Sequence, residues 1–480
     1  MRFTGPLPAV TDLRSYTVES QSLSLSYAVG ASSSDTIQIT IPAIANGFLD
    51  PSTLYLHATF TNTSTDAAGK AIAARFSGSA QALIQRHDLY SGQSSSALLQ
   101  SLDNYNFLAQ GLLDFEDPSF INNQFGMLSG VSSQSTQNFV NTTTACLGNV
   151  ASQAAYFNQG DYARLGRIMG NNNASSATPA GYNFGTEASG YSVNLAIPVL
   201  SPLGLLGTKA VPLSVGFTNF FYLATGTLAL TIAPSGPNSA LVAGGTPQGT
   251  LTNVRLVYRV IETPPQLTAA LFASAGGGPL QIPVTNWVSA TGVHPANQST
   301  NSILLGVAAA SAKSLLFGFR NSAMLSNVHA DSIASRINPA LDSWWLQIGS
   351  SVMPVNKVRT DAQSYATLLQ SRHILNTRNP IAINATNFVA TGNTTCVTGN
   401  SLVSNLWSTP SGACLFGLDL DQVTGKSDSV ISGLNLNGQI VTVNLNWAAN
   451  VPVQALQFNA HVERNALISF MPGAGFQVAY

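Results

Sequence analysis

Apolar residues recur at every second position in segments spread along the whole chain, and that period constrains the fold more than any other feature. Ile37, Ile39 and Ile41 alternate with polar residues in "TIQITI", and Leu54, Leu56, Ala58 and Phe60 do so in "LYLHATF". In "VRLVYRV", Val254, Leu256, Tyr258 and Val260 share a face with Arg255 and Arg259 opposite. Val441, Val443, Leu445 and Trp447 repeat the pattern in "VTVNLNW", as do Leu456, Phe458, Ala460 and Val462 in "LQFNAHV". Successive side chains of a strand point to opposite faces, so period two with β-branched enrichment describes half-buried antiparallel strands. Gly, Pro and Asn between the segments supply turns. The chain reads as all-β.

One stretch asks more of its surroundings. In "SWWLQIGSSVMP", Ser343–Pro354, an extended backbone sends Trp344, Leu346 and Ile348 one way and Trp345, Gln347 and Gly349 the other. One indole joins a local core, and the second needs another cover. Burying an indole removes up to ~250 Å² from water, worth several kcal/mol at roughly 25 cal/mol/Å².

Two helices interrupt the strands. "ALLQSLDNYNFLAQGLLDF", Ala97–Phe115, places Leu98, Leu102, Tyr105, Leu108 and Leu112 on one stripe, after Ser94–Ser96 and before Pro118. "TDAQSYATLLQSR", Thr360–Arg372, opens with Thr360 and Gln363 at capping-box spacing and carries Ala362, Tyr365, Leu368 and Leu369 on its apolar face. Diproline and triple glycine between Glu262 and Pro279 mark the boundary of two similar halves. The expected division is residues 1–265, a linker at 266–279, and residues 280–480. β-rich halves of about 200 residues suit sandwiches, and jelly rolls are common at that size.

Composition removes several function classes. At 480 residues the chain can build two substantial cores, yet only 8% of residues are charged, against about a quarter typically. The net charge of −1 offers no bulk attraction to nucleic acid or an anionic membrane, and no basic arm is present. Weak self-repulsion permits dense packing of copies. The uncharged run Val215–Ala233 is long enough to span a bilayer. Its Thr and aromatic content, Gly226, and flanking Pro212 and Pro234 fit two buried strands with a turn better. "MRFTGPLPAV" lacks the apolar core of a secretory signal. Cys146, Cys396 and Cys414 make no disulfide framework and read as thiols of a reducing compartment, with a Cys396–Cys414 bridge left open. The sequons at Asn62, Asn141, Asn173, Asn297, Asn384 and Asn393 are of the number chance provides in an Asn- and Thr-rich chain.

Motifs for catalysis are lacking. No G-x-S-x-G elbow occurs, and "TGKS" at Thr424–Ser427 lacks the upstream glycine of a phosphate loop. The six histidines, His57, His87, His294, His329, His373 and His461, show no metal-binding spacing. His57 and His87, on neighbouring expected strands, are the one pair to weigh as ligands. Asp114, Glu116 and Asp117, and Asp419 with Asp421, read as helix-end and turn residues, although such spacing also serves calcium sites and glycosidases. No catalytic, cofactor-binding or metal-binding residue is assigned.

Several segments together resemble one family, the double jelly-roll major capsid proteins of the polinton-like virus, virophage and adintovirus group of double-stranded DNA viruses. "RHDLYSGQSSSALLQSLDNYNFLAQGLLD", Arg86–Asp114, is similar to the family's strand, loop and helix with an N-Y pair. "LAIPVLSPLGLLGTKAVPL", Leu195–Leu213, resembles its I-P-L…G-x-x-G…P-L segment, and "LTNVRLVYRVIE", Leu251–Glu262, the strand ending the first jelly roll. Phe319–Thr360, with "SRINPALDSWWLQIGSSVMPVNKVRT", is the most specific match, followed by the apolar-then-acidic turn "LFGLDLD", Leu415–Asp421. The chain departs from the family in its compactness and its low charge.

The resemblance implies two consecutive jelly-roll sandwiches with one short helix in each half, standing roughly perpendicular to a shell. It implies a non-enzymatic subunit that forms a homotrimer, a pseudo-hexagonal capsomer and then an icosahedral capsid around viral DNA. Made in the host cytoplasm or nucleus, it would reside in the virion. Its partners would be itself and the penton and minor capsid proteins, with no specific nucleic acid and no cofactor. Trp344, Trp345, Tyr365, Leu368, Tyr105 and Leu108 are the expected packing or interface residues. Trp345 would be covered within the monomer by the neighbouring jelly roll or the Thr360–Arg372 helix, or else by another subunit. Two other classes fit parts of the sequence: a secreted two-domain β-sandwich lectin or glycosidase, which requires a signal peptide, and a metal-dependent bicupin, which requires paired histidines.

Overall fold

The structure is a computed structural model. It describes residues 13–479 outside a set of stretches, the longest being 129–167, 170–191, 231–244, 390–411 and 422–431. Its principal strands in the first half are β1 (Arg14–Gln21), β2 (Ser26–Gly30), β3 (Thr36–Ile41), β4 (Gly47–Asn62), β5 (Ile84–Ser91), β6 (Ala97–Asp103), β7 (Ser192–Pro198), β8 (Phe217–Leu223) and β9 (Gln248–Glu262). Those of the second half are β10 (Leu280–His294), β11 (Thr300–Leu305), β12 (Ala312–Asn321), β13 (Ser343–Ile348), β14 (Ser351–Val358), β15 (Phe416–Asp419), β16 (Val441–Asn446), β17 (Leu456–Met471) and β18 (Gly475–Ala479). The helices are α1 (Tyr105–Leu113), α2 (Pro265–Ser274) and α3 (Asp361–Ser371), with a four-residue α4 at Ala385–Phe388.

Each half pairs its principal strands into two antiparallel sheets, and the first half adds two small sheets of short strands. The first half has β7-β4-β9-β2, with β1 also on β9, and β3-β8-β5-β6. The second has β10-β17-β12-β15, with β18 also on β17, and β11-β16-β13-β14. No sheet among the described residues mixes strands from before and after α2. The architecture is a double jelly roll, as the alternating segments and the resemblance led one to expect. Every apolar residue of the alternating faces named above is buried, from Ile37 to Val462. Leu56 of β4 faces Leu256 of β9, and Phe60 faces Leu251, so the register brings apolar sets together on one side. Buried apolar residues of both halves form one continuous cluster.

Two expectations need correction. Ala97–Asp103 is a strand and not the start of a helix: it pairs with β5 from Ser91↔Ala97 to Arg86↔Asp103. Ladder hydrogen bonds to β5 outweigh the helical stripe, and Leu98 is left 45% exposed. Asn104 then takes a left-handed conformation (φ 49°), which separates the strand from α1. The expected linker is largely helical, as α2. Proline is tolerated in the first turn of a helix, where its missing N–H would have no partner, and Pro265 occupies that position. Among the described residues each half still holds one helix longer than four residues, α1 and α3, and α2 lies between them.

Other expectations hold as stated. Val215–Ala233 contains β8 and a short strand at Leu228–Leu230, and no described helix is long and apolar enough to cross a membrane. The Thr360 hydroxyl accepts from the Gln363 N–H at 3.2 Å, and the Gln363 side chain accepts in return from the Arg359 N–H at 2.9 Å.

Candidate interface

The two tryptophans of β13 meet different surroundings. Strand β13 lies between β16 and β14, with Trp344 opposite Leu445 and Trp345 opposite Asn444. Trp344 is 1% exposed. Its ring meets Phe317 edge-on at 5.1 Å, and its indole N–H donates to the Ser364 hydroxyl of α3 at 3.1 Å. Leu368 of α3 is fully buried over Gly417, where an added Cβ would lie 2.9 Å from a Leu368 methyl. Tyr365 is half-buried, with its ring on Phe388 at 5.0 Å and its hydroxyl donating to the Ile383 carbonyl at 3.1 Å. Helix α3 therefore covers the Trp344 side, not the Trp345 side.

The opposite face of that sheet is open. Cross-strand register aligns Leu304, Thr442, Gln347 and Val352 in one row, and Ser302, Asn444 and Trp345 in the next. Leu304 is 61% exposed. Trp345 is half-buried, and the Lys357 ammonium of β14 stands over its ring at 3.7 Å, a cation–π contact. Amides, hydroxyls and apolar groups make up these rows, with no carboxylate among them.

A second contact joins the halves. Helix α1 is buried along nearly its whole length, Tyr105 and Leu108 included. The Tyr105 hydroxyl accepts from the Leu200 N–H at 2.9 Å within the first half. Phe107 points into the second half. Its ring stacks on His461 of β17 (5.9 Å, 13°), and the guanidinium groups of Arg320 and Arg336 lie 5.5 and 5.8 Å from its centre. Arg336 forms a buried ion pair with Asp114, the residue ending α1. The His461 Nε2–H donates to the Asp103 carbonyl at 3.3 Å. Burial, with Arg320 adding to it, pushes His461 down to about 4, against the carbonyls of Asp103 and Asn104. Arg320 is itself pushed down to about 10 by burial and by Arg336.

The residues weighed for chemistry do not converge. His57 lies in β4, with its Nδ1 3.4 Å from the Asn253 carbonyl, whereas His87 is buried in β5, with its Nε2–H donating to Asn219 at 3.2 Å. The two strands belong to different sheets, which corrects the expected pair: nearness in sequence did not make them neighbours in one sheet. Among the described residues no group of three or more His, Cys, Asp or Glu is placed to hold a metal. Asp114 is committed to Arg336, and the Asp114 and Glu116 carbonyls accept from the Ile383 and Ala382 N–H groups. Asp419 closes a turn by accepting from the Asp421 N–H at 2.9 Å. The Cys414 thiol is buried and raised by that burial. Cys146, Cys396, His329, "TGKS" and the sequons at Asn141, Asn173 and Asn393 lie outside the described residues. Asn62 is fully buried, so its sequon is closed to modification in the folded chain.

Sequence reasoning missed Arg320, Arg336 and His461 as a group. They lie in three separate segments, and no spacing links them.

The sequence matches no protein-family profile, and no curated protein is significantly similar to it. Solved structures do match. The PBCV-1 virus capsid, in its quasi-atomic model, superimposes over 100% of this chain and 99% of that one, with a TM-score of 0.54 and 12% identity. The Faustovirus major capsid protein matches over 97% of this chain and 92% of that one, at 0.54 and 9% identity. The Sputnik virophage structure determined by cryo-EM matches over 100% and 90%, at 0.53 and 11% identity. At such identities the likeness establishes the fold, from end to end of the chain.

Proposed function

We propose that this chain is the major structural subunit of an icosahedral virus shell, without enzymatic activity. The observation that carries the proposal is whole-length agreement with chains described as a virus capsid and a major capsid protein. A double jelly roll with both rolls matched in order is a large and specific arrangement to share. On this reading residues 1–265 and 280–480 are the two rolls, and three copies form a pseudo-hexagonal capsomer. Penton and minor capsid proteins complete the shell, and genome contact falls to other proteins because the chain has a net charge of only −1.

The open face of the β11-β16-β13-β14 sheet supports contact between copies. Trp345 keeps part of its ring in water beside exposed Leu304, and a facing subunit would remove both from solvent. Mass photometry of the purified protein at micromolar and nanomolar concentration tests the assembly. The expected species has three times the 50.1 kDa mass of the chain. Trp345→Ala is expected to lower the trimer fraction while the monomer still folds, with a cost to the monomer of about 1–2 kcal/mol. A folded 50.1 kDa monomer as the only species at micromolar concentration would count against the capsid reading.

A further inference from the structure

Helix α1 is held by a buried imidazole from each half. In the first half, His87 of β5 meets the Tyr105 ring edge-on at 6.3 Å and stacks on Phe221 at 4.6 Å. In the second, His461 of β17 lies parallel to Phe107. Tyr105 and Phe107 are the first and third residues of α1, and both histidines are at most 1% exposed. Each donates its Nε2–H to an oxygen acceptor, the Asn219 side chain or the Asp103 carbonyl, and a second proton on the buried His87 Nδ1 would meet no acceptor. A neutral imidazole is a flat, weakly polar filler here. An imidazolium would bring a full charge into the same volume without water.

The charged groups around the two rings decide which contact a proton disrupts more. Arg320 from β12 acts directly on His461, and it shares the Phe107 ring with Arg336 from the segment before β13, which Asp114 at the end of α1 already engages. Asp103 of β6 presents its backbone carbonyl, while its carboxylate points to solvent and lies 3.5 Å from Arg86. Further along β17, Glu463 is taken by Arg372 and Ser314, and Asp361 and Cys414 lie beyond Arg336. A third cation would therefore join two guanidinium groups and one engaged carboxylate. Stacking an imidazolium on Phe107 recovers ~0.5–2 kcal/mol at most, and the two arginines already use that ring. His87 has a softer setting: Asp88, next in β5 and paired with Arg86, offsets a positive charge, and Tyr105 and Tyr222 are the tyrosines nearby.

We propose that α1 is an acid-released latch between the two jelly rolls: protonation of His461, the imidazole that the second half packs on the helix, frees α1 from that half while both sandwiches stay folded. The seam then opens as a hinge between two intact rolls. This concerns the single chain and does not depend on shell formation.

Hydrogen–deuterium exchange mass spectrometry on the full chain, from neutral pH to pH ~4 with correction for intrinsic exchange, tests the latch. Peptides covering α1 and the His461 segment of β17 are expected to lose protection at higher pH than peptides from the cores of β4 and β16. His461→Gln keeps a donor for the Asp103 carbonyl but cannot charge, and it should move the α1 step down by about one pH unit or more. His87→Gln should move it less. Asp114→Asn separates histidine from carboxylate control. If Asp114→Asn abolishes the pH step while His461→Gln leaves it in place, the latch is overturned. Loss of protection in α1 together with β4 and β16 in the unmodified protein overturns it too, and that readout needs no variant to fold.

Discussion

Helices α1 and α3 are close in length, each with its first half-turn just after a strand, and they are stabilised by different means. Helix α3 buries only Ser364, Leu368 and Ser371 and meets solvent along the rest. Its start is set by a local cap and its packing by one stripe, both contained in thirteen residues. Helix α1 buries all but one of its nine residues, Asn106 and Gln110 among them. Its buried polar groups need tertiary partners: Asn106 donates to the Ala82 carbonyl and to Gln85, and Asp114 at the helix end pairs with Arg336. A helix on the surface can be specified locally, while a helix at a seam is specified by what closes over it.

The largest expected effect comes from breaking the seam at its charge. Asp114→Ala leaves Arg336 buried without its carboxylate, and folding stability measured by urea denaturation should fall by about 3–5 kcal/mol. Adding Arg336→Met to that variant should recover much of the loss, because an apolar pair avoids the stranded charge. No recovery in the double variant would mean that the seam needs the ion pair for its shape.

Trp344→Ala tests the α3 side. Removing a fully buried indole should cost about 3–5 kcal/mol in the same assay and loosen α3, which loses the hydrogen bond to Ser364. A cost below about 1 kcal/mol would show that α3 closes the gap on its own.

Acid should affect the α1 side and spare the α3 side. The folded His461 and His87 values, each about 4, lie below the ordinary 6.5. The neutral rings therefore stabilise the fold fully above pH 6.5, and that contribution is lost as pH falls toward 4, where the unfolded chain binds the extra protons. The loss should be on the order of 3 kcal/mol for His461. Denaturation midpoints measured between pH 7 and 4.5 should slope less in His461→Gln. An unchanged slope would place the acid sensitivity elsewhere.

The smallest effect belongs to the local cap. Thr360→Ala should cost about 1 kcal/mol, and Thr360→Ser should restore most of it, read as the denaturation midpoint. A cost as large as that of Asp114→Ala would erase the distinction between the two helices.

The same distinction separates what could be read in the sequence from what could not. The strands were legible wherever one face is apolar and the other polar, as in β3 and β9, because the pleat converts period two directly into inside and outside. Helix α3 was legible from Thr360, Gln363 and Leu368. The stripe from Leu98 to Leu112 misled because Leu98 and Leu102 also suit a strand, and only the presence of β5 alongside decides between the two. The separation of Trp344 from Trp345 by face was legible in the sequence, whereas the nature of each cover was not.

By itself the sequence determined an all-β chain in two similar halves, with no charge or motif suited to nucleic acid or catalysis. It did so because alternation, turn residues and composition act over a few neighbours or over the whole chain at once. Only the tertiary structure decided that the polar face of β17 is buried too. Asn459 and His461 read as outward-facing, and both are at most 1% exposed, because α1 and the end of β6 close over them. The His461–Asp103 hydrogen bond joins residues 358 positions apart. A contact of that range leaves no periodicity in either segment, since its free energy depends on packing two completed sandwiches and on pairing the charges trapped between them.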